Sequence, residues 1–194
     1  RRNALQSLGH EVCSIDTALP FGYRIPKTDF RYWVKGVLRR TDRILDWANV
    51  HRRIKSAWSE RTWDILWVDK GLSLRPDFLE GLKRLSPDTI FVNYSPDDMF
   101  NPANQTSRYL KSIKLYDLFV TTKSYNVDEF HKLGAKNAFF VGNAYEPEIH
   151  KPVQLSASEE VQFGCDVCFV GACEREREQS IRLLAKKGFK IGLF

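Results

Sequence analysis

The sequence predicts an α/β protein built on a parallel sheet, and two observations carry that prediction. Between residues 64 and 141, short apolar runs alternate with stretches of helical period, each long enough to serve as a crossover between parallel strands. After a proline-containing break, the same alternation restarts at Asp166 and runs to Phe194. The pattern reads as a Rossmann-like parallel sheet with helices on both faces over residues 1–155. A linker and the first β-α-β of a second Rossmann-like domain follow over residues 156–194.

Residues 1–9 read as the end of an amphipathic helix with Ala4, Leu5 and Leu8 inward and Gly9 as its C-cap. Glu11-Val12-Cys13-Ser14-Ile15 then reads as a short strand. A helix leading straight into a strand implies an earlier strand, and with no initiator Met the chain reads as truncated at its start. A loop with Pro20, Gly22 and Pro26 leads to a stripe of helical period: Phe30, Trp33, Val34, Val37, Leu38, Ile44, Leu45 and Ala48. Arg31, Lys35, Arg39 and Arg43 share another face of it. The helix is expected to break near Asn49 and to resume through Ile54, Ala57 and Trp58. Its aromatics are read as core and snorkel contacts.

Asp64–Asp69 is predicted to be a strand with a near-continuous apolar centre, hence buried on both faces. Pro76–Leu85 follows as a helix with proline in its first turn. Thr89–Tyr94 is a strand, Ser107–Tyr116 a helix and Asp117–Thr122 a strand. Asn126–Leu133 is a helix closed by Gly134, and Asn137–Val141 a strand. Residues 142–163, with Pro147, Pro152 and the polar run Ser156-Ala157-Ser158-Glu159-Glu160, read as an interdomain linker. Asp166–Gly171 is a strand. Glu174–Lys187 is a helix with Ile181, Leu184 and Ala185 inward and Gly188 as its cap, and Phe189–Phe194 is a strand. One strand–helix–strand cannot bury its own faces, so the chain reads as truncated at its end as well.

The composition is that of a globular protein, 43% hydrophobic and 28% charged. No apolar run reaches 18 residues and no signal-peptide pattern is present, so no transmembrane helix is predicted. The four cysteines are Cys13, Cys165, Cys168 and Cys173. The last three lack a paired ligand motif for zinc, and Cys168 sits in what reads as a buried strand, so no metal is expected. Without a disulfide framework, a reducing, cytoplasmic setting is expected. The formal charge of +6 equals the excess of 10 Lys/Arg over 4 Asp/Glu between Lys27 and Trp63. A basic segment over residues 27–63 can hold an anionic membrane peripherally, or it can be a solvated helix face. No nucleic-acid motif accompanies it, and no nucleic-acid partner is expected.

In open parallel sheets, ligands lie beyond the carboxyl ends of strands. That rule selects Lys70-Gly71, Ser95-Pro96-Asp97-Asp98, Thr122-Lys123, Gly142-Asn143-Ala144-Tyr145 and Gly171–Arg175. The adjacent carboxylates of Asp97 and Asp98, with Asn93 and Tyr94 before them, fit hydrogen bonding to a polyol or a general base. They fit an ordinary turn equally well. Gly171 before a helix N-terminus, with Arg175 and Arg177, fits an anion site, or two arginines pairing with Glu174, Glu176 and Glu178. His10, His51 and His131 lie in or beside helices, where surface or packing roles are expected, and His150 lies in the linker.

These motifs resemble a known family. Lys70-Gly71, Asn93-Tyr94-Ser95-Pro96-Asp97-Asp98 and Tyr116-Asp117-Leu118-Phe119-Val120-Thr121-Thr122-Lys123, in that order, are similar to the spore-maturation-type (CgeB-like) glycosyltransferases of the GT-B fold. Leu8-Gly9-His10-Glu11-Val12, Gly142 to Pro152 and Asp166 to Gly171 with Arg175 or Arg177 extend the resemblance over most of the chain. It implies sugar transfer from a nucleotide-sugar co-substrate to a glycosyl acceptor, with no cofactor and no essential metal. It implies Asp97 and Asp98 as catalytic candidates, and Lys70, Asn93, Tyr94, Thr122, Lys123, Asn143 and Tyr145 on the acceptor side. Gly171, Arg175 and Arg177 would meet the donor diphosphate. On this reading the chain alone is not expected to turn over. The competing expectation is a non-catalytic Rossmann-like module that binds a glycan or an anionic surface.

Overall fold

The computed structural model describes residues 1–17, 28–30, 33, 34, 37, 46, 48–172 and 174–194. The chain divides into two compact units, Arg1–Asn143 and Ala144–Phe194.

In the first unit, α1 (Arg2–Ser7) precedes α2 (Val50–Glu60), β1 (Ile65–Asp69), α3 (Pro76–Leu85), β2 (Ile90–Ser95) and α4 (Ser107–Ser112). A 3-10 turn at Ile113–Leu115 leads to β3 (Leu118–Thr121), α5 (Asn126–Lys132) and β4 (Ala138–Phe140). The four strands are parallel, in the order β1-β2-β3-β4, and helices flank them: the unit is an α/β, Rossmann-like fold. The register pairs Trp67 with Val92, Val92 with Leu118, and Val120 with Phe139.

That sequential order decides which face is packed. Right-handed crossovers between neighbours that always step the same way place every connecting helix on one side of the sheet. The core matches this: Leu66, Val68, Phe91, Phe119 and Ala138 from the strands meet Val50 and Ile54 of α2, Phe78, Leu79 and Leu82 of α3, Tyr109 of α4 and Phe130 of α5. Fully burying a residue such as Leu79 contributes about 1.5–3 kcal/mol. The rings of Phe119 and Phe130 stack at 4.4 Å.

The opposite face differs from the prediction. β1 alternates exposed and buried rather than being covered on both sides, with Trp67 39% and Ile65 51% exposed. Ile90 and Phe139 on neighbouring strands are exposed as well. A continuous apolar run shows that both faces of a strand can be buried, not that a partner covers both.

Further corrections share that cause. Glu11–Ile15 is not a strand; no ladder partner pairs with it among the described residues, and it is tied down by Arg61–Glu11 and by Arg53 donating to the Asp16 carbonyl. In α1 no residue is buried, and Leu8 is exposed rather than inward, as is Ala4. Phe30, Trp33 and Val37 are exposed although helical, so the expected core role is not seen there. Pro20, Gly22, Pro26, Lys27, Arg31, Lys35, Leu38, Arg39, Arg43, Ile44, Leu45 and Cys173 lie outside the described residues. The predicted break falls at Asn49, whose left-handed backbone (φ 52°) starts α2. Asn tolerates that region.

The second unit holds α6 (Ala157–Phe163), β5 (Val167–Phe169), α7 (Arg175–Lys186) and β6 (Ile191–Leu193), with β5 and β6 parallel. The polar run expected to be linker is the start of α6. Ser156 accepts from the backbone N–H of Glu159, and the Glu159 carboxylate accepts from the N–H of Ser156, a capping box. The S-x-x-E spacing was the available signal. No described residue of this unit is buried; Cys168 lies in β5 as expected but is exposed rather than buried, and Ala185 is exposed as well. No helix among the described residues is long and apolar enough to cross a membrane.

Candidate functional site

The carboxyl edge of the first sheet is built from the turns after β1, β2 and β3. After β1 the chain reverses through two left-handed residues, Lys70 (φ 57°) and Gly71 (φ 75°). The first is unusual for a residue with a side chain and costs of order 1 kcal/mol. Three bonds hold it there: the Lys70 N–H donates to the Tyr94 carbonyl (2.9 Å), the Asn93 side-chain amide donates to the Lys70 carbonyl (3.0 Å), and the Gly71 N–H donates to the Asp69 carbonyl (2.7 Å). The Lys70 ammonium is thereby brought from the end of β1 to the turn after β2, where it forms an ion pair with Asp97.

Asp97 and Asp98 are adjacent but differently employed. Asp97 has its N–H on Ser95 Oγ (3.2 Å) and its carboxylate on Lys70, with about 40% of its side chain exposed. Asp98 faces its own turn: Oδ1 accepts from Asn126 Nδ2 (3.0 Å) and from the backbone N–H groups of Phe100 (3.0 Å) and Asn101 (3.3 Å). The Asn126 bond first, then these N–H groups and the nearby Lys123 charge, hold its carboxyl below the usual aspartate range against the opposing cost of burial. Asp98 organises the turn; Asp97 is the carboxylate that faces outward with a cation beside it.

The other acceptor-side candidates separate in the same way. Asn93 is buried, with its amide on Lys70 and its Oδ1 accepting from the Tyr109 hydroxyl (3.1 Å), so it holds the core together rather than facing a ligand. Burial pushes the phenols of Tyr109 and Tyr116 far above their ordinary range. Tyr94 is half-buried, stacked on Trp67 at 6.0 Å, with the Arg1 guanidinium 4.3 Å from its ring centre. Thr122 donates from Oγ1 to the Pro96 carbonyl (2.9 Å) and joins the β2 and β3 turns. Lys123 is half-buried beside Asp98, and Asn143 is exposed at the end of the unit.

In the second unit, Tyr145 is exposed. The Gly171 N–H donates to the Phe194 carbonyl (3.2 Å), so that amide is engaged within its own sheet rather than open to an anion. Arg177 binds the Ala172 carbonyl (3.3 Å) and lies 3.7 Å from Glu174, the local pairing that charge spacing also allowed. Arg175, the first residue of α7, is exposed and makes no ion pair among the described residues. Among the described residues no group of three His, Cys, Asp or Glu side chains could hold a metal ion.

One constellation escaped the sequence reading. Asp46 accepts from the N–H groups of Val50 (2.7 Å) and His51 (2.9 Å) and from His51 Nδ1 (2.6 Å). The Arg75 N–H reaches His51 Nε2 (3.3 Å), which assigns the proton to Nδ1. With both nitrogens engaged and its ring set edge-on against Phe78 at 4.5 Å, His51 is a structural bridge between α2 and α3, in line with its expected packing role. The only sequence signal was an Asp four residues before the first helical position.

No protein-family model, curated protein or solved structure gives a significant match to this chain.

Proposed function

We propose that the chain supplies the acceptor wall of a nucleotide-sugar-dependent glycosyltransferase, with Asp97 as general base and Lys70 as its charge partner. The Lys70–Asp97 ion pair carries the reading: a carboxylate and an ammonium meet, partly exposed, at the carboxyl edge of adjacent parallel strands, the edge where open α/β sheets take ligands. The three bonds that keep Lys70 in a left-handed conformation support it, since a strained residue persists only where its surroundings over-determine it.

In the proposed reaction an acceptor hydroxyl attacks the anomeric carbon of the donor. The new C–O bond forms as the bond to the diphosphate oxygen breaks, and the hydroxyl proton passes to Asp97. Negative charge gathers on the departing diphosphate, which leaves with the donor nucleotide. Asp98 supports the turn and does not exchange the proton.

The test is nucleoside-diphosphate release by the intact protein across a panel of nucleotide sugars and simple glycoside acceptors. Asp97→Asn is expected to lower kcat by about 10²–10⁴, with no comparable loss in the variant Lys111→Gln on α4. Wild-type turnover in Asp97→Asn, or no turnover by the wild type with any donor, overturns the assignment. Glycan binding unchanged by Asp97→Asn and without turnover would favour the non-catalytic module.

A further inference from the structure

A concavity with charged side chains at its rim lies in the first unit, beside the first turns of α2 and α3. Its lining is Asp46, Asn49, His51, Arg52, Lys55, Arg75 and Phe78, and its volume is about 430 Å³. Among these described lining residues three are cations and one is a carboxylate. That carboxylate is already committed: both Asp46 oxygens accept hydrogen bonds from the first turn of α2. Burial pushes the Asp46 carboxyl up, but those bonds outweigh it and hold it ionised. Arg52 and Lys55, three residues apart on α2, share one side of the helix and make no ion pair among the described residues. Arg75, the cap of α3, shares its guanidinium with Asp77 at 3.1 Å. The concavity is lined from the first turns of α2 and α3, where the Val50 and His51 N–H groups are already taken by Asp46 and the Arg75 N–H by His51. Phe78 and the His51 ring supply an apolar wall.

We infer that this concavity binds a phosphate group borne by a small molecule. Two cations with no ion pair among the described residues, and a third beside them, suit a doubly charged tetrahedral anion, with Arg52 able to offer paired N–H groups and Lys55 a point charge. The volume suits a phosphate with a small organic body, at the lower end of small-molecule sites. A concave site with an apolar wall favours such a ligand over a flat anionic membrane. The inference does not rest on glycosyl transfer: it uses none of Lys70, Asp97 or Arg175 and survives if that reading fails.

Calorimetric titration of the full chain with inorganic phosphate, against chloride at matched ionic strength, tests it. Saturable one-site binding is expected. Arg52→Gln and Lys55→Gln, both at exposed positions, should each weaken it about tenfold, with unchanged far-UV circular dichroism. Lys111→Gln, an exposed lysine on α4, should leave it unchanged. Absence of saturable binding, equal weakening by Lys111→Gln, or binding to phosphatidylserine vesicles without binding of free phosphate would each overturn the inference.

Discussion

Asn126 and Asp98 hold each other: Asn126 Nδ2 donates to Asp98 Oδ1 at 3.0 Å, and Asn126 Oδ1 accepts from the Met99 N–H at 3.1 Å. Asn126 is fully buried at the first position of α5, and its amide also reaches Glu129 (2.7 Å). The turn after β2 is thereby fastened to the helix after β3, and Asp97 is presented from a fixed base.

Removing Asn126 leaves the buried Met99 N–H without its partner and frees one lobe of Asp98. Asn126→Ala is expected to cost about 1–3 kcal/mol in urea unfolding. Asp98→Ala should cost somewhat less, because water can reach part of the turn. Because the residues are in direct contact, the double variant should lose less than the sum, by about 0.5 kcal/mol or more. Simple additivity would show that the pair does not act as a unit.

Acid should destabilise the first unit through three carboxylates. Asp46, Asp98 and Asp117 all sit below the ordinary aspartate range. For Asp117 burial works upward, but Lys83, the Phe91 N–H (2.9 Å) and Lys136 (2.9 Å) outweigh it. A depressed carboxyl contributes stability in full above its unfolded value, about 3.9. That stability drains as pH falls toward the folded value, because there the unfolded chain binds more protons. Urea midpoints should hold steady from pH 7 to about 5 and fall below about 4. Asp117→Asn should be less stable at pH 7 and fall less steeply in acid. An equal acid slope in the variant would remove Asp117 from the account.

Gly71 and Gly134 both adopt left-handed backbone, at φ 75° and 89°, but only Gly71 is crowded. A Cβ there would lie 2.5 Å from Val68 Cγ1 and 3.3 Å from the Tyr116 hydroxyl, whereas at Gly134 it would meet nothing within 4 Å. Gly134→Ala should cost about 1 kcal/mol, the backbone penalty alone. Gly71→Ala should cost about 3 kcal/mol or more as overlap adds to it. Thermal unfolding of the two variants side by side checks the ordering; equal losses would mean that Val68 and Tyr116 yield without cost.

The sequence by itself determined the local units. Helical period and the early proline marked α3 from Pro76 to Leu85, and the helical period marked a break near Asn49. Alternation of apolar runs with helices made the sheet parallel, and strand ends drew attention to Lys70 and Asp97. These follow from interactions within a few residues along the chain. Tertiary structure decided the rest. A strand exists only if another pairs with it, and Glu11–Ile15 finds none among the described residues. An apolar face is buried only if something covers it, and the sequential strand order gathers the crossover helices on one side, leaving Trp67 and Phe139 exposed. Asn93 and Asp98 looked like ligand groups because their residue types suit ligands. The fold gives each of them a hydrogen-bond partner at a distant position (Lys70 and Tyr109 for Asn93, Asn126 for Asp98) and leaves Asp97 facing Lys70. Backbone conformation is chosen locally, whereas pairing, burial and hydrogen-bond saturation depend on residues that only folding brings near.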